Sequence, residues 1–145
     1  MVAPTPQEDP VRMIFVNLPV TDVEAAKAFY AGLGFEQNLQ FSDVDTASFV
    51  IEENITAMVM TREKFAGFLP HGATAGDPSR AVSVMNALSA ADRAECDDLL
   101  ARALAHGGTQ FTAPQDHGFM YGTSFADPDG NVWEAVWMDP SAMAG

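Results

Sequence analysis

The order of elements along this chain can be read twice, and that repetition limits the fold more than any single motif does. Residues Met13 to Val20 alternate as a strand, with Ile14, Val16, Leu18 and Val20 on one face and Met13, Phe15 and Asn17 on the other. Thr21-Asp22-Val23-Glu24 then has the Thr-x-x-Glu form of a capping box. The helix it opens places Val23, Ala26, Phe29, Tyr30 and Leu33 at helical spacing and stops near Gly32 and Gly34. Three short strands are expected near Phe35 to Phe41, Thr46 to Ile51 and Ile55 to Thr61. The order restarts at Arg80 to Leu88, a strand, with Ser89 to Asp92 supplying a second candidate cap. A helix carrying Cys96, Leu99, Leu100, Ala103 and Leu104 follows and ends at Gly107-Gly108. Strands near Thr109 to Thr112, Phe119 to Phe125 and Asn131 to Met138 complete the copy. Two such units in one short chain predict an α+β domain of two βαβββ modules, residues 12–66 and 80–138. Gly67 to Ser79, rich in Gly, Pro and Ala, reads as a linker loop. Residues 1–11, with three prolines in the first ten, read as a flexible arm, and residues 139–145 as a tail.

With 145 residues there is room for one domain with a real core and too little for two ordinary ones. No apolar run approaches the ~20 residues that span a bilayer. The start carries neither the basic nor the apolar region of a signal peptide. The single cysteine, Cys96, has no partner for an internal disulfide, which fits a reducing, cytoplasmic setting. Seven basic residues against 20 acidic ones give a formal charge of −13. That balance disfavours nucleic acid and anionic membranes as partners and suits a neutral or cationic small ligand.

The segment Asp127-Pro128-Asp129-Gly130-Asn131-Val132-Trp133-Glu134 joins a tight turn to an apolar strand that carries a carboxylate. Such a carboxylate is costly unless it is exposed, paired, or bound to a metal or substrate. This segment, with Leu18-Pro19-Val20-Thr21-Asp22, Phe29-Tyr30 and Leu33-Gly34-Phe35, resembles the vicinal oxygen chelate superfamily of glyoxalases, bleomycin-resistance proteins and extradiol dioxygenases. The resemblance covers roughly residues 12 to 138. It implies that curved mixed sheets of the two modules enclose a cup, and that the protein is a homodimer. In metal-using members, four cup-facing positions supply ligands, and Glu134 matches one of them. The family spacing puts a second at Phe15. Aligning the caps Thr21 and Ser89 puts a third at Ser83, and aligning the turn residues Asn54 and Asn131 puts the fourth at Ala57, or at Met58 after a one-residue slip. A phenyl ring, a hydroxyl and an alkyl or thioether group are poor partners for zinc, nickel or iron. The reading is therefore of no cofactor, with a divalent metal as the less favoured alternative. His71, His106 and His117 fall in the linker, at a helix end and in a loop, away from the four positions.

The expected cup is lined by Phe15, Asn17, Met58, Met60, Ser83, Met85, Tyr121, Trp133 and Glu134, a polarisable apolar wall with a few polar anchors. Methionine and aromatic side chains on strands are as often ordinary core. Three functions remain open: a metal-free protein binding a small amphipathic molecule with Glu134 as counter-charge; a lyase, isomerase or dioxygenase in which a metal polarises vicinal oxygens; and a structural or regulatory subunit with a filled cup. If there is catalysis, Glu134 is the candidate general base.

Overall fold

The computed structural model describes residues 10–143. Residues 1–9 of the expected arm and 144–145 of the expected tail lie outside the described residues. The alternation of Ile14–Val20 forms strand β1. Helix α1 (Val23–Gly32) follows, then β2 (Glu36–Asn38), a one-turn 3-10 helix (Leu39–Phe41), β3 (Thr46–Glu52) and β4 (Ile55–Thr61). A short helix α2 (Arg62–Gly67), which the sequence did not signal, leads into a stretch without regular structure. The second unit comprises β5 (Met85–Ser89), α3 (Arg93–Ala105), β6 (Thr109–Asp116), β7 (Met120–Ala126) and β8 (Val132–Met138), followed by α4 (Pro140–Met143). The two sheets have the same topology, β1-β4-β3-β2 and β5-β8-β7-β6, each with one parallel pair and two antiparallel pairs. This is the α+β arrangement of two βαβββ modules that the repetition predicts.

Both helix starts differ from the expected caps, and the difference moves the register. Asp22, not Thr21, caps α1: its carboxylate accepts from the Glu24 and Ala25 amides at 2.9 and 3.2 Å. Asp92, not Ser89, caps α3, accepting from the Glu95 amide at 2.8 Å. Thr21 serves another purpose, donating its amide and hydroxyl to Asp129 at 2.9 and 2.8 Å and so tying the end of β1 to the turn before β8. With Asp22 matched to Asp92, Phe15 corresponds to Met85, two residues beyond Ser83. The expected strand from Arg80 shrinks to Met85–Ser89, because residues 81–84 find no ladder partner.

One face of each sheet carries the core. Leu18, Val20, Ala47, Phe49, Ala57 and Val59 point at α1 and meet Phe29 and Tyr30, both fully buried. Each of the larger apolar side chains among them contributes about 1.5–3 kcal/mol on removal from water. The core continues into the second module, where the Phe29 and Phe125 rings lie 6.2 Å apart. Gly108 allows this approach: a Cβ there would come within 2.6 Å of both the Phe29 ring and the Ala126 carbonyl. His106 ends α3 and lies over Gly32, so its ring packs between the helices. Among the described residues no helix is long and apolar enough to cross a membrane.

Candidate functional site

Strand β8 is held in place by the turn that precedes it. Gly130 takes a φ of +99°, and the Asp127 carboxylate accepts the amides of Asp129 and Asn131, each at 2.9 Å. Its other oxygen accepts the Tyr30 hydroxyl at 2.8 Å and the Asn131 side-chain amide at 2.9 Å. Trp133 donates its indole N–H to the Tyr30 oxygen at 3.0 Å. Asp127 is only 2% exposed. Burial pushes its pKa up, against the lowering effect of the hydrogen bonds from Asn131 and Tyr30. Burial, and then the Asp127 charge, likewise hold the Tyr30 hydroxyl well above its ordinary pKa.

With Trp133 locked inward, alternation turns Glu134 to the opposite face of the sheet. There it lies between Ala87 on β5 and Ser124 on β7. It is half-buried and opens on a hollow of about 390 Å³, walled by Met85, Phe111, Met120 and Val136. Ser124, Thr112 and Gln115 add neutral polar groups. The Ser124 hydroxyl accepts the Thr112 amide at 3.0 Å and shares a 2.6 Å hydrogen bond with the Thr112 hydroxyl. Among the described residues no basic side chain lines the hollow, and none of the four ion pairs involves Glu134.

The nine residues expected to share one cup are distributed differently. Met85 and Glu134 line the hollow just described. Asn17 and Ser83 line a second one, about 290 Å³, between β1 and the 76–86 segment. Phe15, Asn17, Met58 and Met60 share the face of the first sheet that points away from α1. Phe15 is 52% exposed, whereas Met60 is buried with Thr46, Ser48 and Thr56. At that end α2 packs on β1 and β4, and Lys64 donates to the Thr46 hydroxyl.

Two of the expected cup residues face the other way. Trp133 is 1% exposed in the core, because adjacent residues of a strand cannot share a face with Glu134. Tyr121 lies on the helix side of β7, its hydroxyl donating to Asp97 of α3. Met120, its neighbour, takes the place expected for it in the hollow. The sequence reading also missed Phe111, Thr112, Gln115 and Ser124. For Ser124 the signal is the alternation of β7 counted from Phe125, whose partner Trp133 fixes the inward face. Phe111, Thr112 and Gln115 lie on β6, whose register shifts leave no alternation to follow.

The register also decides what a metal would meet. Asn17 pairs with Met58 and Met58 with Ser48, as Ala87 pairs with Glu134 and Glu134 with Ser124. The counterpart of Glu134 is therefore Met58, and Ala57 is buried in the core. The four family positions carry Phe15, Met85, Met58 and Glu134: a phenyl ring, two thioethers and one carboxylate. Among the described residues, no three His, Cys, Asp or Glu side chains converge. This donor set does not fit a zinc, nickel or iron centre.

Solved structures share this fold. The hypothetical protein SA1046 from S. aureus is 22% identical, over 89% of this chain and 95% of its own, with a TM-score of 0.73. A glyoxalase/bleomycin resistance protein/dioxygenase family enzyme from Burkholderia phytofirmans PsJN is 20% identical over 88% and 99%, with a TM-score of 0.70. TnmS3, an antibiotic binding protein from Streptomyces sp. CB03234, is 20% identical over 91% and 99%, with a TM-score of 0.61. At these identities the likeness is one of fold. No curated protein matches the sequence significantly. The sequence itself fits the family model over residues 12–135, and on that match the chain belongs to the Glyoxalase/Bleomycin resistance protein/Dioxygenase superfamily.

Proposed function

We propose that this protein binds a small amphipathic cation in the hollow of its second module, with Glu134 as the counter-charge and without a complete metal site. One observation carries the reading: a half-buried carboxylate projects into a hollow of apolar and neutral polar side chains, with no basic side chain among the described residues to neutralise it. A ligand with an ammonium group and an apolar body supplies both missing partners, the charge to Glu134 and the surface to Met85, Phe111 and Met120. The formal charge of −13 favours the approach of such a ligand. That TnmS3, a protein of the same fold, is an antibiotic binding protein supports a binding role. Among the described residues Glu134 is the one titratable side chain lining the hollow, with no second acid or base there to share a proton transfer. That favours binding over catalysis. The exposed apolar side chains of Phe15, Met85, Phe111 and Phe119 support a homodimer that would cover part of this surface.

The test is a calorimetric titration with matched alkylammonium, alkyl sulfate and neutral amphiphiles, on wild type and Glu134→Gln. The ammonium compound should bind best and lose roughly tenfold in affinity in the variant, the equivalent of about 1.4 kcal/mol. Equal binding of all three head groups would remove the counter-charge role. Stoichiometric nickel, zinc or iron in the purified protein that disappears in Glu134→Ala would overturn the metal-free reading.

A further inference from the structure

The outer wall of the Glu134 hollow is β6, an edge strand exposed along its whole length. Its ladder with β7 is irregular: the register shifts between Gln110 and Thr112 and again between Thr112 and Gln115. Pro114, in the second gap, has no amide to donate. The last two pairs, Gln115 with Gly122 and Asp116 with Tyr121, are thus cut off from the rest of the ladder. Yet Gln115 and Met120, on either side of the β6–β7 tip, both line the hollow. The β7 side of the tip is tied to β8 by the Met120–Met138 pair and by the Asp139 amide, which donates to the Phe119 carbonyl at 2.7 Å, while His117 donates its amide to the Met120 carbonyl at 2.8 Å. The β6 side, with Gln115, still has to be tied from outside the sheet.

Arg93, the first residue of α3, reaches across to do so. Its guanidinium grips both oxygens of Asp116, at 2.7 and 3.0 Å, and donates to the Gly118 carbonyl at 3.0 Å. Asp116 in turn accepts the Gly118 amide at 2.9 Å. The guanidinium carbon also sits 5.1 Å from the ring centres of both Tyr121 and Trp137, cross-strand partners on β7 and β8. An exposed ion pair is ordinarily worth ~0–1 kcal/mol. This one combines a two-pronged carboxylate contact, a backbone acceptor and two aromatic faces, a set that a planar guanidinium can satisfy at once and an ammonium cannot.

We propose that Arg93 is a positioning residue for the hollow: by clamping Asp116 and Gly118 from the helix side of the sheet, it holds Gln115 against a ligand seated at Glu134. Arg93 does not touch the ligand, and its effect on affinity passes through the tip. The inference rests on the binding role proposed above, and its test separates the two.

The experiment compares wild type, Arg93→Gln, Arg93→Lys and Asp116→Asn. Arg102→Gln serves as control, because it removes an ion pair to Asp98 on a helix face away from the hollow. Hydrogen exchange is followed at the 116–120 amides in the free protein, and affinity is measured for dodecyltrimethylammonium below its micelle concentration. Arg93→Gln and Asp116→Asn should speed exchange at His117 and Gly118 roughly tenfold while leaving the helix amides unchanged. They should also weaken binding about tenfold. Arg93→Lys should recover little of either, and Arg102→Gln should change neither. Wild-type affinity in Arg93→Gln, or unchanged exchange at the tip, overturns the proposal. A wild-type protein that binds no ammonium amphiphile defeats the binding reading and the ligand half of this one, while the exchange measurement still decides whether Arg93 holds the tip.

Discussion

Removing one hydroxyl at Tyr30 tests whether the two modules are joined by the buried chain of Trp133, Tyr30 and Asp127. In Tyr30→Phe the ring stays, so packing against Phe29 and Phe49 is kept and the change isolates the polar contacts. Asp127 loses a donor at 2.8 Å, and a hydrogen bond to a charged group contributes about 1.5–3 kcal/mol. The Trp133 indole N–H loses its acceptor at 3.0 Å, and a buried donor left unpaired costs about 1–3 kcal/mol. The two losses share an atom and overlap, so a net destabilisation of about 3 kcal/mol is expected. That is a large part of the ~5–15 kcal/mol available to a domain. At ~2–4 °C per kcal/mol for a chain of this size, the melting temperature should fall by about 6–12 °C. Urea unfolding followed by far-UV circular dichroism gives the free energy directly. Combining Tyr30→Phe with Trp133→Phe should recover at least ~0.5 kcal/mol relative to the sum of the single losses, because the pair then has nothing left to break. A Tyr30→Phe protein within ~0.5 kcal/mol of wild type would refute the claim that this chain holds the modules together.

Two further outcomes follow from the same geometry. Gly108→Ala should destabilise by about 1–3 kcal/mol, because the added methyl would meet the carbonyl oxygens of Ala126 and Ala103 at 2.6 and 2.9 Å, and backbone cannot rotate aside; a thermal melt unchanged from wild type contradicts it. The pH response should carry two opposed contributions. Burial raises the pKa of Asp127, so its contribution is fully present below the ordinary carboxylate range and is lost as pH rises through the folded value. The Arg93 hydrogen bonds hold Asp116 down to about 2, so its contribution is present above the ordinary range and is lost as pH falls toward that value. A carboxyl NMR titration that places Asp127 below the ordinary carboxylate value, or Asp116 above it, would reverse that group's sign and defeat the argument.

The fold was legible because it rests on periodicities that survive small errors, and the site was less so because it depends on single-residue register. Ile14, Val16, Leu18 and Val20 signal a strand wherever its ends are set, and two glycine-stopped helices in matching positions signal the repeat. Cap choice was harder, since Thr21 and Asp22 sit side by side, as do Ser89 and Asp92 within one turn, and all are competent acceptors. Taking Thr21 and Ser89 cost two residues in register, so Ser83, which lies before β5 and lines the other hollow, stood in for Met85. Aligning Asn54 with Asn131 cost one residue, and an odd slip reverses the face. It set the core residue Ala57 against Glu134, where the structure sets Met58. The cause is that the two asparagines are not equivalent: the hairpins keep one register, Ser48 with Met58 as Ser124 with Glu134 and Val50 with Thr56 as Ala126 with Val132, so Asn54 corresponds to Gly130. The carboxylate is left without a matching donor across the repeat, and a lone acid on one sheet is suited to a cation that arrives with its ligand.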